Sequence, residues 1–358
     1  MLSVDVARAT RPIICRMARP AVTVLLPTYN RAPLLRKAIE SVLAQTRTDF
    51  VLLVSDNAST DETPATVASF DDARIVSVRR PVNLGMCGNF NAAFAQVTTP
   101  YAALLLDDDL WELTFLERAL AVLDAEPRVG LVHTAFRVID GAGRVLVASM
   151  DWHEGGGRTG VRPGRELIAD LLGRDSPVMA SSTVLRTRAV PSQGWDERDV
   201  QAEDMGLLLR LALDWHVAFI AEPLAAFRMH PGSLSVAAGE VVGPGTFPGF
   251  RQISQRHQAK ERFLDEQADR LHETAYWKAR IATKARTDAL GTVWARTYRN
   301  RRPQEVLRAL RQAHAEVPGL LLDLRAWRLL VLAVGVALVR VISPPKPARG
   351  PRGHPTSR

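Results

Sequence analysis

The chain has 358 residues, 47% of them hydrophobic and 23% charged, an ordinary globular composition for one large domain with an appendage or two modest domains. A core of that size needs no disulfide framework. The two cysteines, Cys15 and Cys87, show neither staple nor metal spacing, which points to a reducing, cytosolic setting. The net charge of +8 is uneven: residues 251–358 carry 22 Lys and Arg against 9 Asp and Glu, net +13, whereas residues 1–250 are net −5. The basic part suits an anionic surface, membrane or nucleic acid, or simply solvated helix faces.

Residues 1–20 place Arg8, Arg11, Arg16 and Arg19 with no long apolar run between them, so they read as a poorly ordered leader and not as a secretory signal. Residues 22–27 (VTVLLP) form a short apolar β-type run ended by proline; Thr28-Tyr29-Asn30-Arg31 follows, then a helical pattern from Leu34 to Ala44. Residues 50–54 (FVLLV) give a second buried strand, stopping at the turn-rich Ser55-Asp56-Asn57. Thr60 fits an N-cap, with Asp61, Glu62 and Thr63 in the first turn of the next helix. Ile75–Val78 is a third strand, Asn89–Val97 a helix, and Tyr101–Leu106 a fourth strand that ends directly on Asp107-Asp108-Asp109. Strands alternating with helices predict a parallel sheet covered on both faces, with ligands at the carboxyl ends of its strands. Asp56 and the aspartate triplet both fall at such ends.

Further on, residues 115–126 read as a helix closed by Pro127, and Val129–Val138 and Arg144–Val147 as strands around a turn at Asp140-Gly141. Gly155-Gly156-Gly157 reads as a flexible loop, Ser181–Leu185 and Val217–Ala221 as short strands, and residues 203–213 as the helix between them. From about residue 251 the pattern is helical and highly charged, and residues 343–358, rich in Pro, Arg and Gly, are expected to be disordered. Within 326–342, the uncharged run Leu329–Val339 is bounded by Arg328 and Arg340. As a helix it is ~17 Å long, too short for a bilayer core of ~30 Å. It fits either shallow interfacial insertion, with the arginines snorkelling and Trp327 among headgroups, or a buried core helix.

Three adjacent carboxylates after a buried strand repel one another. A divalent cation or bound donor relieves that repulsion, and a hard ion such as Mg²⁺ or Mn²⁺ takes a few carboxylates plus phosphate oxygens. An acidic surface turn is the plainer alternative. The cluster follows three other segments in order: Pro27-Thr28-Tyr29-Asn30-Arg31, Ser55-Asp56-Asn57-Ala58-Ser59-Thr60-Asp61, and Asn83-Leu84-Gly85-Met86-Cys87-Gly88-Asn89-Phe90-Asn91. In this the sequence resembles the family 2 glycosyltransferases of GT-A fold over about residues 21–235.

The resemblance implies an α/β, Rossmann-like, mostly parallel sheet with flanking helices over 21–240; the charged helical pattern beyond it predicts a basic helical extension over 251–342. It implies that Pro27, Thr28 and Tyr29 line a nucleotide pocket and that Asp56 accepts hydrogen bonds from the base. An imide N–H suits that acceptor, which favours UDP- or dTDP-sugars. Asn83 and Gly85 would let the backbone approach the donor, with Asn89 nearby. Asp107 would face ribose and metal, with Asp108 or Asp109 the direct ligand. Glu203 and Asp204, opening the helix EDMGLLLRLA, would supply the catalytic base, although two acids in a first turn are also favourable helix chemistry. In Arg228-Met229-His230-Pro231, Arg228 would pair with donor phosphates and His230 complete the metal shell or touch the diphosphate; a turn role for His230 stays open. Trp195 is either a platform for an acceptor sugar or a packing residue. Leu113 stands where the family usually carries proline, which bears on the acceptor loop.

These features predict a metal-dependent inverting transferase, with a glycan or lipid-linked acceptor, cytoplasmic or peripheral on the inner face of the membrane, and with no nucleic-acid partner. A non-catalytic nucleotide-sugar-binding scaffold is the alternative. A nucleotidyltransferase ranks lower, because Pro27–Arg31 lacks a Gly-rich phosphate loop.

Overall fold

The computed structural model describes residues 20–151, 157–174, 176, 178–199, 202–233, 250–271, 273–297, 303–317, 319–320 and 325–326. The leader before residue 20, the interfacial segment 326–342 beyond Ala326, and the tail 343–358 lie outside the described residues, as does the side chain of Glu203.

Strands β1 (Val22–Thr28) and β2 (Phe50–Asp56) are buried at every position. An apolar run without alternation is what a strand needs when helices cover both faces. Val22, Val24 and Leu26 face one apolar cluster and Leu25 the other, because successive side chains of a strand point to opposite faces. Helix α1 (Ala32–Leu43) lays Leu35, Ala38, Ile39 and Val42 on the first cluster at helical spacing, and Pro33 in its first turn starts it cheaply. Helix α2 (Thr63–Ala68) leads to β3 (Ile75–Arg79), and α3 (Gly85–Phe94) to β4 (Tyr101–Leu104). The chain continues through β5 (Leu110–Trp111), α4 (Phe115–Ala125), β6 (Val129–Asp140), β7 (Val145–Met150), β8 (Gly160–Arg162), α5 (Gly164–Gly173), β9 (Thr183–Arg186), α6 (Glu203–Ala212) and β10 (His216–Met229).

The strand order is β3-β2-β1-β4-β9-β6-β10-β5, with β7 added to β6 and β8 to β10. The pairs β3/β2, β2/β1 and β1/β4 are parallel, as the alternation of elements predicts. Beyond β4 the sheet is mixed. β9 is antiparallel to both β4 and β6, since a 3-10 turn (Ala180–Ser182) delivers Thr183 opposite Leu104 at the carboxyl end of β4 and the strand must run back along it. Among the described residues, only β6 and β10 restore a parallel pair.

The described residues up to 233 form one compact unit with 255–271 and 273–282; residues 250–254 and the described residues from 283 onward form another. Helices α7 (Phe250–Glu266), α8 (Thr274–Thr297) and α9 (Pro303–Glu316) supply the C-terminal part. The second unit has its own apolar cluster, including Ile253, Ala289, Val293, Leu310, Ala313 and Leu320. Among the described residues no helix is long and apolar enough to cross a membrane.

Candidate active site

Three parallel strands end side by side. Thr28 pairs in register with Asp56, and Asp56 with Arg79. Past Leu104, the Leu105 N–H donates to Leu25 O at 3.1 Å, so the aspartates emerge beside the turn after β1. There Tyr29 N donates to Asp107 Oδ2 at 3.4 Å.

The turns after β1 and β2 are tied to each other. Asn30, at φ 55°, accepts from Thr60 N at 2.7 Å and donates its own N–H to Ser59 Oγ at 3.0 Å. Thr60 does not cap α2, whose N-cap position is Glu62; ahead of it Asp61 Oδ1 accepts from Thr63 N at 2.9 Å and its Oδ2 from Ala32 N at 3.3 Å. Thr60 is diverted to Asn30, which the local pattern did not reveal. Asp56 is 2% exposed, and its Oδ1 takes Ser59 N at 2.9 Å. Its Oδ2 has Arg79 Nε 3.3 Å away but no hydrogen bond, so that oxygen retains acceptor capacity.

The triplet divides sharply. Burial and then the charge of Asp108 push the Asp107 carboxyl up to about 7. Asp108 Oδ2 lies 3.0 Å from Arg31 Nη1 and 3.1 Å from His230 Nε2, delivered by the end of β10. Asp109 turns inward and is 1% exposed. Its Oδ2 accepts from the Ser181 hydroxyl at 2.5 Å and its Oδ1 from Arg228 N at 2.9 Å, while burial raises its carboxyl well above the ordinary range. With both oxygens taken by the interior, Asp109 departs from the expected ligand set.

Two other expectations meet the same physical answer. Arg228 is 1% exposed; its Nε donates to Asp108 O at 2.7 Å and its Nη1 to the carbonyls of Asp140 and Gly141 at 3.2 and 3.3 Å. The guanidinium is therefore an interior brace of the aspartate loop and does not face a donor phosphate. Asn89 is buried against Ser55, accepting from its hydroxyl at 2.7 Å and donating to its carbonyl at 2.9 Å. It fixes the end of β2 instead of approaching the donor.

Asn83 Oδ1 accepts from Asn57 Nδ2 at 2.9 Å and from Gly85 N at 2.8 Å. This holds the turn into α3, where Gly85 takes φ 73° and glycine is needed for the conformation alone. The helix consequently begins at Gly85, earlier than the predicted Asn89. Asn91 clamps the backbone of Trp195 from both sides, at 2.7 and 2.9 Å. Trp195 is 3% exposed and stacks on Phe90 with ring centroids 5.1 Å apart, which settles it as a packing residue. The sequence reading gave Arg31, Arg79 and Arg80 no role. Arg31 follows β1 in the Pro27–Arg31 segment, Arg79 ends β3 beside Asp56, and Arg80 is the residue after it. Arg80 donates to Ser55 Oγ at 3.1 Å.

Asp204 lies in the first turn of α6, outside this hydrogen-bonded cluster. Burial raises its carboxyl above the ordinary range, opposed by the charge of Arg256. The loop leading to it is held at Asp199, which pairs with Arg262 and accepts from Ala202 N at 2.8 Å. Gly206 packs so closely on this loop that an added Cβ would stand 2.2 Å from Asp199 Oδ2. A cavity of about 360 Å³ opens elsewhere, between α1 and the β6–β7 hairpin, and none of the aspartates lines it.

Among the described residues no three His, Cys, Asp or Glu side chains converge as a ready-made metal cage. The donor chemistry nevertheless fits a divalent ion that keeps positions for phosphate oxygens: a carboxylate and an imidazole nitrogen 3.1 Å apart, a second carboxyl next along the chain, and a guanidinium already acting as cation between them.

An α/β domain with an acidic edge where its parallel strands end is the class these features define. Residues 23–190 match the family model described as Glycosyl transferase family 2, and the fold is the GT-A fold of solved glycosyltransferases. An uncharacterized glycosyltransferase of Nostoc sp. is 33% identical over 128 residues, 35% of this chain and 39% of that protein. The UDP-Glc:alpha-D-GlcNAc-diphosphoundecaprenol beta-1,3-glucosyltransferase WfgD of Escherichia coli is 32% identical over 102 residues, 28% of this chain and 40% of that one. The chain thus matches about two fifths of the length of these relatives. Among solved structures, S. aureus TarS 1-349 in complex with UDP-GlcNAc superposes with a TM-score of 0.58 at 17% identity, over 83% of this chain and 81% of that one. A Pyrobaculum calidifontis mannosyltransferase in complex with GDP-Man and Mn²⁺ gives 0.51 at 21% identity, over 90% and 81%.

Proposed function

We propose that the protein is an inverting glycosyltransferase that moves a sugar from a nucleoside-diphosphate sugar, UDP- or dTDP-linked, onto a hydroxyl of a lipid-linked or cell-envelope glycan. The observation that carries this reading is the joint position of Asp56, Asp107 and Asp108 on one carboxyl edge of the sheet, with His230 Nε2 3.1 Å from Asp108. Asp56 Oδ2 receives the imide N–H of the base. Asp107, Asp108 and His230 hold Mg²⁺ or Mn²⁺. When bound, such an ion neutralises the leaving diphosphate and acts as a Lewis acid. Asp109 and Arg228 brace the loop from behind.

Asp204 removes the proton of the acceptor hydroxyl as its oxygen bonds to the anomeric carbon, and the bond from that carbon to the diphosphate oxygen breaks on the opposite face. The proton ends on Asp204 and the electron pair on the nucleoside diphosphate. A raised carboxyl suits a base working near neutral pH, a contribution of roughly 10²–10⁴-fold. The names of WfgD and of the TarS complex support a lipid-linked acceptor and a UDP-sugar donor for this chain.

A thermal-shift screen of nucleotide sugars with and without Mn²⁺ tests the reading, since a ligand of the folded state raises the melting temperature. A metal-dependent shift with one UDP- or dTDP-sugar, followed by slow release of nucleoside diphosphate, is expected. No shift with any nucleotide sugar would reject it, and binding without any turnover would favour a scaffold.

A further inference from the structure

Arg31 has no part in that reading, yet it sits at its centre. Nη1 lies 3.0 Å from Asp108 Oδ2 and 3.0 Å from His230 Nε2, while Nη2 donates to Gly232 O at 2.6 Å. Its backbone is fixed independently: N donates to Thr63 Oγ1 at 3.2 Å, and its carbonyl accepts from Leu34 and Leu35 at 3.0 and 2.9 Å. The side chain can therefore leave without disturbing α1.

A guanidinium can only donate, so the contact at Oδ2 uses a carboxylate lone pair; Gly232 N donates to His230 Nδ1 at 3.2 Å, which leaves the imidazole proton on Nε2, facing Asp108 Oδ2 3.1 Å away. A divalent ion would require that carboxylate, and the Nε2 lone pair once the ring proton is displaced. A guanidinium 3.0 Å from both atoms stands against such an ion as a like charge. We infer that Arg31 is an exchangeable counter-cation: an ion binding Asp108 and His230 evicts its guanidinium, which then pairs with the diphosphate of the donor. The inference rests on the metal role proposed for Asp108 and His230. The planar fork of donors suits phosphate oxygens as well as it suits the carboxylate it leaves. Arg31 thereby opposes metal binding in the absence of nucleotide and favours nucleotide once the metal is bound, so the charge of the acidic edge stays balanced in both states.

Calorimetric titration of the full chain separates these effects. Mn²⁺ alone is titrated first, then UDP at saturating Mn²⁺, into wild type, Arg31→Met and Arg31→Lys. Arg31→Met is expected to bind Mn²⁺ alone roughly three- to tenfold tighter and UDP with Mn²⁺ about tenfold weaker, the range spanned by partly buried charge pairs. Arg31→Lys, which keeps the charge but meets one acceptor at a time, should move both constants the same way by less, and it serves if the Met variant does not fold. Unchanged or weaker Mn²⁺ binding in both variants, with wild type binding Mn²⁺, overturns the exchange and leaves the metal site standing. Absence of Mn²⁺ binding in wild type and variants alike removes the metal reading, and the exchange with it.

Discussion

Asp108 and Asp109 are neighbours in the chain with opposite surroundings, and replacing each one should separate two jobs. Asp108 meets Arg31 and His230; Asp109 meets Ser181 and the backbone of the buried Arg228. Asp108→Ala is expected to leave the fold intact and abolish Mn²⁺-dependent UDP binding by calorimetry. Asp109→Ala leaves the buried Ser181 hydroxyl and Arg228 N–H without their acceptor, at roughly 1–3 kcal/mol each in chemical denaturation. If the two variants lose equal stability, the division is wrong. The triplet was legible as chemistry because three carboxylates after an apolar strand serve no core. Which one faces inward was not legible, since the groups that decide it, Ser181 and Arg228, lie 72 and 119 residues away from Asp109. Asp204 gives a pH prediction. Its folded-state carboxyl is raised by burial, so between the ordinary carboxylate value and the raised one the folded state binds more protons than the unfolded state. Stability contributed by this group therefore falls as pH rises through that window, and the penalty is complete above it. Asp204→Asn should raise the melting temperature at pH 8 relative to wild type, more than it does at pH 4, while transfer is abolished and UDP binding persists. Wild-type kcat/KM should fall on acidification with a limb above the usual carboxylate range. Near-normal turnover in Asp204→Asn would remove the base assignment.

At the scale of elements, α3 and the loop after β9 behave as one piece. Phe90 stacks on Trp195, Phe94 meets its edge at 5.8 Å, and Asn91 holds its backbone. Because the turn into α3 is also tied to Asn57, beside the Asp56 end of β2, this packing links the donor edge to the segment that precedes Asp204. Trp195→Ala empties a buried aromatic site and should cost about 3–5 kcal/mol. At a temperature where the variant remains folded, KM for the acceptor is expected to rise more than the affinity for UDP falls, because the loop runs toward α6. An unchanged acceptor KM would confine Trp195 to stability. The parallel strands were legible from unbroken apolar runs. β9 was seen as a strand, but its direction was not, since the 3-10 turn that reverses it has no apolar period of its own. Helix α5 was missed altogether, although Leu167, Ile168, Leu171 and Leu172 line its buried face at helical spacing.

On the scale of the whole molecule, charge is the feature the sheet-bearing unit does not explain. Residues 318–358 carry seven Lys and Arg against one acidic residue, and they include the uncharged run Leu329–Val339. A basic segment gains about 1 kcal/mol per Lys or Arg near an anionic leaflet, and an apolar run between arginines adds shallow burial. An acceptor anchored in lipid would make such a surface useful, because it confines the enzyme to the plane in which the acceptor diffuses. Sedimentation with vesicles should therefore recover the full chain on phosphatidylglycerol and not on phosphatidylcholine, with binding weakened as salt shortens the Debye length to roughly 8 Å at physiological ionic strength. Deletion of 318–358 should reduce recovery on anionic vesicles at least tenfold while leaving UDP binding unchanged, the tenfold corresponding to about 1.4 kcal/mol, little more than a single basic contact. Equal recovery of the truncated and full chains would assign the basic charge to solvated helix faces.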